Sequence, residues 1–213
     1  MKIEMTLTNE PMNACPNARS SKVTIVVSDV EKREIRKYLP DATLSRVSNI
    51  HEDLDSEVTP GTFAQRSGCV FVGNWNHLPN RDAALWFSRE ILPLVVREGK
   101  VDDSFKFHIV GANNMPPEIL ALNGTRMERG TGRVVTKMPS DESSKHLKKD
   151  GDSKGSVVRI MVHGYVADLR ALYGTMKISV SPLRWGAGVK GKINSAMKYG
   201  VPVVCTAVST EGK

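Results

Sequence analysis

Apolar residues in this chain fall into short β-branched runs, separated by polar stretches long enough for a turn or a helix. Residues 23–27 (Val-Thr-Ile-Val-Val) read as a buried strand. Ser28-Asp-Val-Glu31 follows with the spacing of a capping box, and it predicts a helix over 31–39 that Pro40 stops. Residues 43–47 form a second, shorter strand. From His51 to Arg66 the chain is acidic and then polar, with Pro60-Gly61 as a turn, so a linker is expected there.

Beyond it the alternation becomes regular. Strands are expected at 69–72, 105–110, 157–162, 178–180 and 201–206. Helices are expected at 82–92, 116–122, 168–173 and 192–199. The stretch from Asn123 to about residue 156 is polar, charged and rich in Gly, Ser and Lys, which predicts a surface insertion without packed elements. Strands alternating with helices imply an α/β fold with a Rossmann-like parallel sheet and flanking helices. Such sheets bind ligands at the carboxyl ends of their strands. The turns after Val72, Val110, Val162 and Val180 should therefore line one crevice. Two parts follow: 1–66, and a Rossmann-like α/β domain over 67–213 that carries the insertion at about 123–156.

Composition narrows the functional classes. No apolar stretch approaches the length of a membrane span, and Met1-Lys-Ile-Glu-Met-Thr has no apolar core of a secretory signal. A cytoplasmic location is the expectation. Three cysteines (Cys15, Cys69, Cys205) are widely spaced and include no CxxC pair, which argues against a zinc site or a disulfide framework. Cys69 and Cys205 lie in apolar runs and are expected to be buried, inert thiols. The net charge of +7 asks for anionic surroundings. Much of it sits in polar stretches from Arg126 to Lys149, where no aromatics interleave for base stacking, so nucleic acid is not the expected partner.

The chemistry concentrates in Gly186-Ala-Gly-Val-Lys-Gly-Lys192, between an expected strand and an expected helix. Helix amides and the helix dipole favour an anion at that place. Gly186 and Gly188 let the backbone approach a phosphate, and Lys190 and Lys192 add positive charge, with Arg184 as a possible third. The spacing is neither that of a Walker loop nor GxGxxG. A diphosphate ester fits it.

With these residues in place the chain resembles the retaining, GT-B-fold glycosyltransferases of group 1, or family 4, and specifically their carboxyl-terminal donor-binding domain. The matching stretches are Val27-Ser-Asp29 with Glu34, Phe71-Val-Gly-Asn74 with Pro79-Asn80, and Leu85-Trp-Phe87 with His108-Ile-Val-Gly111. They continue with residues 163–169, Ser181-Pro-Leu-Arg184, residues 186–192, Ala196-Met197, Gly200-Val-Pro-Val-Val204 and Glu211-Gly212. The pieces keep the family's order from Val23 onward.

The resemblance implies that Gly73 and Asn74 face the cleft and that Gly164, Tyr165 and Val166 lie against the nucleotide base. Residues 186–192 would hold sugar and diphosphate without a bound metal or other cofactor. Where the family often has a ribose-binding glutamate, Ser195 stands here. The family's basic residues after the first donor-domain strand are replaced by Trp75, Asn76 and His77. The resemblance makes 1–66 a remnant of the amino-terminal acceptor domain plus linker, and the whole chain a fragment. It implies a nucleotide-sugar donor and an acceptor, glycan or small molecule, that the residues do not name. A non-catalytic nucleotide-sugar or sugar-phosphate binding module is the alternative, with a basic nucleic-acid-binding protein after it.

Overall fold

The computed structural model describes residues 21–48, 63–98, 101–102, 104–112, 114–135, 157–186 and 188–211. The first strand, β1 (Thr24–Val26), pairs in parallel with β2 (Leu44–Arg46) across α1 (Asp29–Tyr38). The capping box forms: Ser28 Oγ accepts from the Glu31 amide at 3.2 Å, and the Glu31 carboxylate accepts from the Val27 amide at 2.9 Å. Val26, Ile35 and Leu44 make this unit's own small core. Most of the expected linker lies outside the described residues, as do Cys15 and His51.

The main sheet has seven strands in the order β6-β5-β7-β4-β3-β8-β9. Its parallel part is β3 (Cys69–Asn74), β4 (Lys106–Ala112), β7 (Val157–His163), β8 (Ile178–Ser181) and β9 (Val203–Cys205). The chain moves outward from β3 to β4 and β7, then returns to the other side of β3 for β8 and β9. The strand order therefore reverses between β3 and β8, and a ligand crevice opens beyond the carboxyl ends of those two strands.

One correction concerns the polar insertion. Its first part forms β5 (Arg126–Glu128) and β6 (Val134–Val135), an antiparallel hairpin added to β7 with Met127 in the core. Strands of three and two residues are too short to display a period, so composition hid them. The remainder of the insertion lies outside the described residues.

The helix expected at 82–92 starts earlier and runs further. It comprises α2 (Leu78–Trp86), a π turn (Phe87–Ile91) and α3 (Leu92–Arg97). Pro93 has no amide hydrogen and its ring crowds the preceding turn. The wider turn, in which the Leu92 amide reaches Phe87 O, lets the helix continue past it. Shorter helices α4 (Pro117–Leu120), α5 (Arg170–Thr175), α6 (Gly191–Lys198) and α7 (Ala207–Thr210), with a 3-10 turn at Phe63–Gln65 before β3, complete the described elements.

The sheet buries both faces unevenly. Phe71, Trp75, Phe107, Ile109 and Ile160 pack under α2, α3 and α4. Val70 and Val110 pack under α5 and α6 with Tyr173, Ala196 and Val201. Cys69 is buried, which pushes its thiol far above the usual range. Cys205, expected to be buried, is half-exposed because β9 is an edge strand. Among the described residues no helix is long and apolar enough to cross a membrane.

Candidate functional site

The crevice between β3 and β8 is built from three segments: the end of β3, the first turn of α2, and the glycine loop that leads into α6. At the end of β3, Asn74 Oδ1 accepts from the Asn76 amide at 2.9 Å, and Asn74 O accepts from Asn80 Nδ2 at 2.8 Å. The Asn74 side chain thus shapes the turn, and the Asn80 carboxamide is held with its oxygen available. Gly73 sits tightly beneath it, since a Cβ there would lie 2.9 Å from the Phe71 ring and 3.2 Å from Asn80.

Lys192 projects into this corner from the first turn of α6. Its ammonium donates to Asn80 Oδ1 and stands 4.6 Å from the centre of the Phe71 ring. Burial, together with the neighbouring Lys190 charge, lowers its pKa to about 8. Lys190 turns back on its own loop, donating to Gly186 O at 3.3 Å and to Gly188 O at 2.6 Å. Burial lowers its pKa too, against an opposing pull from Glu211. Gly186 (φ +120°) and Gly188 (φ +79°) occupy backbone regions that favour glycine, and Gly186 packs against Pro79.

Helix α6 starts at Gly191 with no side-chain cap, which leaves its first amides pointing to the crevice end. Ser195 follows Lys192 by three residues, on the same side of the helix and partly buried. Two ammonium groups, a glycine turn and an uncapped helix end converge here. A carboxylate or phosphate oxygen at this point would relieve the desolvation that lowers both lysines and the repulsion from Lys190 that lowers Lys192.

Arg184 does not join the lysines. It forms a two-pronged ion pair with Asp82 of α2, through Nε–Oδ2 at 2.9 Å and a second contact from its other nitrogen, and it lies 5.4 Å from the centre of the Trp86 ring. Trp185 also donates to Asp82, so the start of the loop is tied to α2. Gly164, Tyr165 and Val166 follow β7, two strands from β3. Gly164 and Tyr165 are exposed, whereas Val166 packs on the core under α5. The structure therefore gathers Gly73, Asn74, Gly186, Gly188, Lys190 and Lys192, and leaves the three β7-loop residues on the far side of β4.

Sequence reasoning assigned no role to Asn80, Asp82 or Phe71, which hold the site's cations. The one available signal was Pro79, a helix-starting residue that places Asn80 and Asp82 in a first turn. It also missed His108. His108 Nδ1 and His163 Nε2 are 2.9 Å apart with the rings parallel, so one nitrogen of the pair must carry the proton. Burial, then the His163 and Lys106 charges, lower His108 from 6.5 to about 4. A histidine kept neutral when folded protonates more readily when unfolded. Its contribution to stability is complete above about pH 6.5 and is lost as pH falls towards 4. Thermal melts of the parent and of His108→Gln should diverge within that window, with the variant showing the flatter slope. Among the described residues no three His, Cys, Asp or Glu side chains gather as metal ligands.

A family profile described as "Glycosyl transferases group 1" matches residues 66–212. The chain belongs to this family. The matched segment starts just before β3 and contains the whole main sheet. Two solved structures of TarM share the fold. One is an S. aureus TarM variant in complex with fondaparinux, alpha-GlcNAc-glycerol and UDP, at 18% identity and a TM-score of 0.61, covering 92% of this chain and 32% of that one. The other is TarM, at 18% identity and a TM-score of 0.59, covering 90% of this chain and 31% of that one. The chain thus spans about a third of the length of the TarM chains it matches. No curated protein matches it.

Proposed function

We propose that this group 1 chain supplies the donor site of a retaining, family 4 glycosyltransferase, which moves a sugar from a nucleotide-diphosphate donor to an acceptor. The observation that carries this reading is the half-buried Lys192 ammonium, held against a neutral carboxamide and a ring at the point where the strand order reverses. A cation so poorly compensated is suited to an anion that arrives with the substrate. In the proposed complex the diphosphate lies across Gly186 to Lys192. Lys192 and the first α6 amides neutralise the charge that grows on the leaving diphosphate as the glycosidic bond breaks. The ribose lies towards Ser195. Retention follows if that leaving phosphate takes the proton of the incoming hydroxyl on the same face, so no protein nucleophile is assigned.

UDP is the first ligand to test, because the similar TarM binds it. Calorimetric titration of the chain with UDP and with GDP should give saturable binding of at least one, released by the matching nucleotide sugar. Heat indistinguishable from buffer for both nucleotides would overturn the donor reading. Transfer or hydrolysis of the nucleotide sugar then separates an enzyme from a binding module. Turnover by this chain alone is expected to be slight, since the residues gathered in the crevice bind the donor and none is placed for an acceptor.

A further inference from the structure

The donor crevice occupies the carboxyl ends of the parallel strands. The opposite half of the same sheet carries a second charged feature. Register pairs Lys106, the first residue of β4, with Arg159 of β7, and pairs Arg159 with Arg126 of β5. Residues paired across strands project to the same face. Three cations from three adjacent strands therefore form one row, with steps of about 4.8 Å. His108 and His163 lie on this face as well, as their contact shows.

Helices α5 and α6 cover the face over β3, β8 and β9 and reach β4 at Val110. Over β7 no described helix covers it: Lys106 and Arg159 are exposed and Arg126 is half-buried. Among the described residues no carboxylate pairs with any of the three. Arg126 Nε is buried without a hydrogen-bond partner. The two acids on nearby segments are engaged by hydroxyls, Glu128 by Thr131 and Asp102 by Ser67 and Ser104. Like charges set directly opposite one another weaken a sheet; Glu128 shares this face two residues along β5, but no described carboxylate lies within ion-pair distance of the three cations.

We propose that this row is a binding surface for an anionic glycan, whose carboxylate, sulfate or phosphate groups sit over Lys106, Arg159 and Arg126. The flat, open strip suits an extended chain with anions at short intervals. A single-stranded nucleic acid would ask for stacking aromatics between the cations, and these rows of β5, β7 and β4 present no Phe, Tyr or Trp. The choice of glycan rests on the glycosyl-transfer reading; the anion surface does not.

The test uses the full chain. Heparin-derived oligosaccharides and polygalacturonate serve as acidic probes, with neutral dextran and poly-uridine RNA as comparators. The parent should bind at least one acidic glycan at low salt and not bind dextran. The double variant Lys106→Ala/Arg159→Ala should weaken that binding tenfold or more. Arg36→Ala/Lys37→Ala, which removes the same charge from exposed α1 positions, should leave it unchanged. Equal loss in both variants, binding of neither acidic glycan, or tighter binding of the RNA would overturn the proposal. Hydrogen exchange on the parent chain adds a readout that needs no variant: bound glycan should protect β5 and β7, and protection confined to other strands would also overturn it. UDP titration is run in parallel, and its failure bears on the donor crevice alone.

Discussion

Replacing Lys192 with methionine should cost the chain about 30- to 150-fold in affinity for a nucleoside diphosphate, while its melting temperature stays level or rises. The first half follows from the geometry. The ammonium is aimed into the crevice corner and offers a charge-assisted contact, and losing such a contact costs about 2–3 kcal/mol. The second half follows from burial. Lys192 is held charged in a place that lowers its pKa to about 8, with Lys190 adding repulsion. Methionine keeps a similar stem over Phe71 and removes the buried charge. Calorimetry and thermal melts on the same samples read both halves. Affinity that survives the substitution would remove Lys192 from the site, and a collapsed melting temperature would make it a structural residue.

The same lysine sets a pH dependence. A bound diphosphate favours the protonated form, so the complex holds its proton to a higher pH than the free chain does. Affinity should be level below about pH 8, where the free ammonium is charged, and should decline above it. In Lys192→Met that decline should vanish.

The largest stability effect is expected at Gly111. It lies beside Gly73 in the β3–β4 register, and a Cβ there would overlap Trp75 Nε1 and the Gly73 carbonyl oxygen. Trp75 is fully buried and cannot swing away, and the Gly73 carbonyl belongs to the strand itself. Overpacking against such rigid neighbours costs about 3 kcal/mol, which lowers the melting temperature of a chain this size by roughly 6–12 °C. Gly174→Ala is the internal contrast. It lies in α5 with no atom within 4 Å of its would-be Cβ, and alanine is the better helix former by about 1 kcal/mol. The two variants should shift thermal unfolding in opposite directions. Equal melting temperatures would mean that β3 and β4 separate more easily than their packing indicates.

Much of the fold was legible along the chain because its signals are local. Ser28 and Glu31 announce a helix start within four residues, and the apolar run that ends at Gly73 is a strand buried on both faces. The glycine loop was legible for the same reason, since positive backbone angles and a following helix are written in neighbouring residues. The hairpin at Arg126 to Val135 was not, because its strands are held by pairing with β7 and have no pattern of their own. The helix expected to end at residue 92 runs on past Pro93, because a π turn absorbs the proline.

What the sequence by itself determined was an alternating α/β chain of the group 1 glycosyl transferase kind, with a glycine turn and two lysines at one strand end. Contacts between segments far apart in the chain decided the rest. Asn80 meets Lys192 across 112 residues, and Asp82 takes Arg184 away from the lysines across 102. Arg126, Arg159 and Lys106 become a row only through strand register. Periodicity reports which side of an element is buried. Which cation remains available to a ligand depends on what the opposing element places against it, and only the folded chain specifies that.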